Sequence, residues 1–181
     1  MKFKIVNSLF VFAFVAILAS CASTKTTSFT DPDFINKKFS KICVVVDIGD
    51  LNVKKELEST IMSELKDNKI EVFSGSDMFP PTRNWTDDQI KFNLNKNEID
   101  GYLNVKIVEK TIDDRFTDVG VQRKYFSNFK TELIDVESDK IAYTASSSSQ
   151  SDEGFSGDFT LIFNSFAEDI ISDLKSKGHI K

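Results

Sequence analysis

The residues best able to do chemistry in this chain are two cysteines and one histidine, and the sequence keeps them apart. Cys43 lies in an apolar run, residues 41–48, where a cysteine is typically a small buried hydrophobic residue. A nucleophilic thiol needs a histidine or another cation beside it, but the single histidine, His179, lies at the opposite end of the chain. We therefore expect Cys43 to be buried and inert, and His179 to be an exposed surface residue.

The 28 acidic residues offer carboxylates for metal binding or acid–base catalysis, yet no spacing singles any of them out. Residues 93–98 begin like a calcium-binding EF-hand loop, but Glu98 stands where glycine is needed and Asn104 where a bidentate glutamate is needed. Residues 113–118 offer oxygens for a weak cation site, although a solvated turn explains them better. Phosphate-binding loops, zinc motifs and nucleophile elbows are absent from the sequence. We therefore predict no metal, no cofactor and no enzymatic activity.

Cys21 differs from Cys43 because it follows an apolar segment near the start of the chain. Lys2 and Lys4 precede the apolar residues 9–19. As a helix this segment would be roughly 16 Å long, which is too short for a hydrocarbon core of ~30 Å. A basic start, a short apolar middle and small residues at its end are typical of a secretory signal peptide.

The last residues of this segment, Leu18, Ala19, Ser20 and Cys21, resemble the lipobox of bacterial lipoproteins. The resemblance implies that residues 1–20 are a signal peptide and that cleavage falls between Ser20 and Cys21. It also implies that the Cys21 sulfur carries a diacylglyceryl group, with a further acyl chain such as palmitate on the new amino terminus. The alternative is an ordinary cleaved signal peptide with an incidental cysteine.

A lipid anchor at Cys21 would place the protein in the bacterial cell envelope. Two or three acyl chains hold a protein on a membrane almost permanently. The residue after the cysteine is Ala22 rather than aspartate. By resemblance to enterobacterial sorting, this implies the outer membrane, with the protein facing the periplasm.

Composition narrows the function classes further. The residues after position 20 carry 21 basic and 28 acidic side chains, a net charge of -7. Nucleic-acid binding needs a basic face, so we expect no nucleic-acid partner. Once Cys21 is consumed, Cys43 is the sole free thiol and no disulfide forms. A chain of 181 residues with 40% hydrophobic residues favours one domain.

After the predicted signal peptide, the chain divides into a polar tether and an α/β domain. Residues 21–38 are rich in serine and threonine and are predicted to be a flexible tether, with a single domain over 39–181. Residues 42–48 are apolar and β-branched, which is typical of an interior strand. An apolar stripe every four residues, at Val53, Leu57, Ile61 and Leu65, predicts a helix that crosses over to a parallel strand at 70–73.

The rest of the domain continues this pattern with a helix, three strands and a closing helix. Thr86 and Gln89 are spaced as a capping box, and residues 103–107 alternate as a strand. A long strand ends near Asp135 and returns at 141–147, and the serine-rich residues 146–151 are predicted to be a strand end that leads into a mobile loop. The closing helix has Asp158 or Thr160 as candidate caps. An apolar residue recurs every fourth position, at Ile162, Phe166, Ile170 and Leu174, and Gly178 suits the residue after the helix.

The predicted fold class is α/β with an α+β tendency: a mixed sheet of about five strands, in the order β-α-β-α-β-β-β-α, with helices packed on it. This layout resembles small envelope lipoproteins, namely the penicillin-binding-protein activator lipoproteins and the curli-secretion lipoprotein, and the TolB amino-terminal domain. Four features carry the likeness: residues 42–48 with their helix, residues 100–103, residues 131–146, and the closing helix.

A loop at residues 74–84 holds the strongest candidate for a contact surface. Its apolar residues, with the tryptophan that follows, are Met78, Phe79, Pro80, Pro81 and Trp85. One interpretation is a surface that contacts a partner, since loops on rigid scaffolds often carry recognition. The other, which we favour, is that Phe79 and Trp85 fold back as a lid on the core.

These features support a lipid-anchored, non-enzymatic binding, assembly or regulatory protein that docks a periplasmic partner. The alternative is a small-ligand-binding protein or a hydrolase that uses surface carboxylates. The excess of acidic over basic residues is the observation that supports it. An oligomeric pore component has no support, because the mature sequence shows neither a spanning helix nor a pair of lipid-facing barrel strands.

Overall fold

The computed structural model describes residues 22–117, 120–152 and 159–181, so the predicted signal peptide and Cys21 lie outside the described residues. The described residues form six strands, one 3-10 helix at Pro32–Phe34 and four α-helices. The strands are β1 (Ala22–Thr30), β2 (Lys41–Asp47), β3 (Glu71–Ser74), β4 (Gly101–Thr117), β5 (Gly120–Asp135) and β6 (Lys140–Asp152). The helices are α1 (Leu51–Asp67), α2 (Gly75–Met78), α3 (Asp87–Lys96) and α4 (Thr160–Ser176).

The strands form one mixed sheet in the order β1-β6-β5-β4-β2-β3. Strand β2 runs parallel to β3 and β4, whereas all the other neighbouring pairs are antiparallel. The predicted α/β class is therefore confirmed, with six strands in the described residues instead of about five. The additional strand is β1.

Local sequence signals account for the helix boundaries. The Asp50 side chain accepts the backbone N–H groups of Asn52 and Val53 at the start of α1. The predicted capping box of Thr86 and Gln89 is present at the start of α3. Gly178 follows α4 at φ +81°, a left-handed conformation that glycine adopts without strain.

Two apolar clusters cover the two faces of the parallel part of the sheet. The larger lies under α1 and α4 and includes Leu57, Phe166 and the side chains of β2 that point to that face. The smaller lies on the other face, where Cys43 packs with Phe79 and Leu94 of α3. Because β2 is buried on both faces, its apolar run is continuous instead of alternating.

The predicted flexible tether over residues 21–38 is wrong for the part that the structure describes. All of β1, nine residues, pairs with β6, and the 3-10 helix that follows buries Phe34. In the described residues, the folded domain therefore already includes Ala22 instead of starting near residue 39. The misleading signal was composition, because β1 is held by polar contacts and carries no apolar alternation.

Residues 146–151 are the end of a strand, β6, as predicted, and their serines are alternately buried and exposed. Two smaller predictions are corrected. The residue before α4 is Phe159, which caps no backbone group, so Thr160 is not the cap; Asp158 lies outside the described residues. The first residues of the predicted loop at 74–84 form α2, which Ser74 caps. No helix in the described residues is long and apolar enough to span a membrane.

Candidate functional site

The N-terminal end of β1 is the point at which a lipid at Cys21 would meet the folded domain. Ala22 pairs with Ser151 of β6, Ser151 with Tyr125 of β5, and Tyr125 with Ile112 of β4. We call these four residues the anchor row. Cys21 precedes Ala22 directly, so its Cα lies about 3.8 Å from that of Ala22.

Near the anchor row, side-chain hydroxyl groups of β1 form hydrogen bonds with β6 and α4. The Thr24 hydroxyl lies 2.8 Å from that of Ser149 in β6 and 2.9 Å from that of Ser165 in α4. The Thr26 hydroxyl lies 2.6 Å from that of Ser147. Hydroxyls both donate and accept, so facing pairs satisfy each other when they are removed from water.

At its other end β1 contacts the C-terminus through a buried histidine. The Thr30 hydroxyl lies 3.1 Å from His179 Nε2, and His179 Nδ1 lies 3.2 Å from the Lys37 carbonyl oxygen. A carbonyl only accepts, so Nδ1 carries the proton and Nε2 accepts from Thr30. Burial lowers the pKa of His179 and favours the neutral ring.

The expectation that His179 is an exposed surface residue is therefore wrong, because its side chain is fully buried. The left-handed Gly178 turns the chain back after α4. The turn brings the imidazole into edge contact with Tyr143, with ring centroids 5.8 Å apart. The Tyr143 hydroxyl donates to Asp173 at 2.6 Å, and burial raises the pKa of this phenol.

Residues 78–85, which we call the aromatic loop, pack against the smaller cluster. Phe79 is buried and meets Trp85 edge to face, with ring centroids 5.4 Å apart. The Trp85 Nε1–H donates to the Pro80 carbonyl oxygen at 3.1 Å. The Arg83 guanidinium lies over the indole ring, 3.7 Å from its centroid.

Phe79 and Trp85 therefore fold back on the core, as the lid interpretation predicts. Phe79 is a core residue and has almost no surface to offer a partner. Met78, Pro80 and Trp85 are only partly buried, and Arg83 is exposed. The predicted contact with a partner through Met78, Pro80 and Trp85 stays a prediction.

A cleft of about 410 Å³ opens beside this loop, where β3 ends and α1 passes α2. It is lined by Lys55, Glu58, Ser59, Met62, Ser63, Lys66, Ser74, Ser76 and Asp77. Glu58 is only 2% exposed, and its Oε1 accepts the Ser76 backbone N–H at 2.9 Å. The Glu58 carboxylate is therefore already engaged by the backbone of α2, so a ligand that bound the carboxylates of this cleft would compete with that hydrogen bond.

The chemistry-bearing residues do not assemble into a reactive group in the part of the chain that the structure describes. Cys43 is buried as expected, and desolvation raises its pKa to about 12, so it is a thiol at neutral pH. Within the described ranges, no three histidine, cysteine or acidic side chains are grouped as metal ligands.

Known proteins resemble this chain in fold more than in sequence. No protein-family model and no curated protein matches it. The PelC dodecamer from Paraburkholderia phytofirmans is 13% identical with a TM-score of 0.55, over 87% of this chain and 99% of the PelC chain. Protein XCC0632 from Xanthomonas campestris is 6% identical with a TM-score of 0.51, over 86% of this chain and 94% of its own.

A third structure, lipoprotein GNA1162 from Neisseria meningitidis, is 13% identical with a TM-score of 0.49, over 76% of this chain and 99% of its own. The PelC and XCC0632 likenesses show that this chain shares a fold with bacterial proteins of similar length. The predicted resemblance to activator, curli-secretion and TolB-type domains stays a prediction.

Sequence reasoning missed β1 and the burial of His179. One signal was present: Thr24, Thr26, Ser28 and Thr30 recur every second residue, which is the period of a strand with one face turned inward. No signal marked His179, because its burial depends on the path of the chain after Gly178.

Proposed function

We propose that this protein is a lipid-anchored, non-enzymatic component of the bacterial cell envelope, attached through Cys21 to the outer membrane, which binds a periplasmic protein partner. The observation that carries the proposal is that β1 starts one residue after the predicted lipidation site. The lipobox resemblance implies the anchor, and β1, which begins at the next residue, would join that anchor to the domain without an intervening linker.

This direct attachment suits a protein that presents a surface at a fixed height above a bilayer. A linker of 18 flexible residues would allow an r.m.s. excursion of roughly 23 Å. Because Ala22 is already paired with Ser151, the domain has no such freedom. A partner that itself sits near the membrane would then meet a nearly fixed surface, which reduces the entropic cost of binding.

The aromatic loop is the surface that we propose for this contact. Phe79 holds the loop on the core, while Met78, Pro80 and Trp85 keep part of their surface in solvent. Aromatic and arginine side chains dominate binding energy at protein interfaces. Arg83 over Trp85 supplies both types in one exposed contact.

A photoreactive amino acid at position 83 in the full-length protein, expressed at native abundance in its own host, tests this surface. The matched control carries the same group at Phe29, an exposed residue on the edge strand at the opposite side of the sheet. We expect one protein product from position 83 and none from position 29, with the yield reduced by Cys21→Ser. Identical products at both positions, or no product at position 83, would contradict the proposal.

A second candidate function is self-assembly, which the likeness to the PelC dodecamer favours. The exposed edge of β1 is a surface on which a second copy could add a strand. Mass measurement of the acylated protein in detergent separates the two candidates. A discrete multiple of the chain mass supports self-assembly, whereas a monomer supports a different partner.

A further inference from the structure

Among the residues that the structure describes, β4 and β5 extend beyond the other strands at the end of the sheet where Ala22 lies. Strand β1 starts at the anchor row, and β6 ends one residue past it, at Asp152 opposite Lys124. Counted from the anchor row, strands β4 and β5 continue together for five residues, to Thr117 and Gly120. At about 3.3 Å per residue, this hairpin projects roughly 17 Å past the anchor row.

The register also places the hairpin beyond the residue to which the lipid is predicted to be attached. Phe116 lies four residues past Ile112, which is roughly 13 Å past the anchor row. One residue spans at most about 3.8 Å, so Phe116 lies at least roughly 9 Å beyond any position that a Cys21 backbone bonded to Ala22 can take. The headgroup layer on each side of a bilayer is about 6 Å thick, which is within that reach.

The projecting part of the hairpin carries exposed apolar side chains. Phe116 is 86% exposed and Ile112 is 51% exposed, and their even spacing puts them on the same face. Between them, Asp114 receives two hydrogen bonds from Arg123, at 2.6 and 3.1 Å, so this pair is neutral as a unit. Moving these exposed side chains from water into an apolar layer would contribute binding free energy in proportion to the apolar area that is covered.

The charge of the hairpin fits a lipid surface better than the rest of the domain does. Residues 113–124 contain three acidic and three basic residues and are neutral, whereas the residues after position 20 carry a net charge of -7. Acidic surfaces are repelled by anionic headgroups, so a neutral segment with arginines is the part able to approach them.

We propose that the β4–β5 hairpin enters the membrane interface beside the lipid anchor, with Phe116 among the upper acyl chains and the Asp114–Arg123 pair at the headgroups. The inference rests on the proposed anchor at Cys21. The lipid and the hairpin form two separate attachments, three strands apart, that together fix the orientation of the sheet. The His179 end of β1 then points away from the bilayer.

Spin labelling of the acylated protein in vesicles of phosphatidylethanolamine and phosphatidylglycerol tests the proposal. Phe116→Cys receives a nitroxide, and Phe29→Cys is the matched control, an exposed phenylalanine seven residues from Ala22 along β1. The protein without either substitution should take up no label, because Cys43 is buried and Cys21 is acylated. Relaxation by oxygen and by a water-soluble nickel complex then reports the depth of each label.

We expect oxygen to relax the label at position 116 more strongly than the nickel complex does, and the reverse order at position 29. Two results would overturn the proposal: a label at position 116 as accessible to nickel as that at position 29, or dipolar broadening at position 116, which would mean that a second copy covers it. The intact mass of the same sample shows whether a negative result concerns the hairpin contact alone or the lipid anchor as well. An acylated chain with a nickel-accessible Phe116 label removes only the hairpin contact, whereas an unacylated Cys21 removes the anchor and the inference together.

Discussion

Strands β2 and β1 belong to the same sheet but are held in it by different interactions. In β2, four of seven residues are buried, and apolar side chains pack against helices on both faces. In β1, six of nine residues are serine or threonine, and none of the nine is fully buried. Strand β2 is held mainly by the hydrophobic effect, whereas β1 is held by its pairing with β6 and by side-chain hydrogen bonds.

The difference shows that the strand with the most apolar burial, β2, is not the strand next to the predicted lipid anchor, β1. Apolar burial contributes about 25 cal/mol per Å², so β2 belongs to the most stable part of the domain. A hydrogen bond contributes only about 1 kcal/mol net, so β1 depends on many small contacts along its length. The strand that would bear the lipid is therefore held less by apolar burial than β2 is.

The largest effect is expected from a substitution in β2. Ile42→Ala removes a fully buried side chain and should lower the free energy of unfolding by about 2–5 kcal/mol. Phe29→Ala in β1 is the matched control and should change it by less than about 0.5 kcal/mol, because Phe29 is exposed. Urea denaturation measures both. A comparable loss in the two variants would contradict the contrast between the strands.

The same contrast explains how much of the fold could be predicted from the sequence. Strand β2, helix α1 and helix α4 leave an apolar periodicity, and the Thr86 capping box and Gly178 are local signals. Strand β1 leaves no apolar signal, because its inward residues are hydroxyls whose partners lie more than a hundred residues away. Composition alone therefore predicted a flexible segment there.

His179 is expected to produce an intermediate effect that depends on pH. His179→Gln disturbs the contacts with Thr30 and the Lys37 carbonyl and should cost about 1–3 kcal/mol at pH 7.5. The folded-state pKa of His179 is lowered, so between the ordinary value of 6.5 and this lower value only the unfolded chain binds a proton. The contribution of His179 is thus complete above pH 6.5 and is lost as pH falls.

The measurement is the free energy of unfolding of both proteins between pH 5 and 7.5. The gap between the natural chain and His179→Gln should narrow as pH falls, because glutamine does not titrate. A gap that stays constant over this range would show that His179 is protonated equally in the folded and unfolded states.

The smallest effect is expected from the hydroxyl pairs near the anchor row. Ser147→Ala leaves the Thr26 hydroxyl without its partner and should cost about 1 kcal/mol. Adding Thr26→Val removes the unpaired group and should recover most of that loss. A double-mutant cycle in urea measures the coupling, and strictly additive single effects would show that this pair does not hold β1.

The candidate site was predictable to a lesser extent than the fold. The residues of the aromatic loop were identified from their types, but the sequence could not decide how Phe79 and Trp85 divide between core and surface. The reach of the β4–β5 hairpin follows from strand register. Three successive strand pairings place Ile112 in the same cross-strand row as Ala22. Such long-range register has no counterpart in the local pattern.

The most direct test of the account is the intact mass of the protein purified from the membranes of its own host. The account predicts a chain that begins at Cys21 and carries a diacylglyceryl group on that residue, with β1 starting at the next residue. A chain that retains residues 1–20, or one that begins elsewhere or carries a free Cys21 thiol, would contradict it.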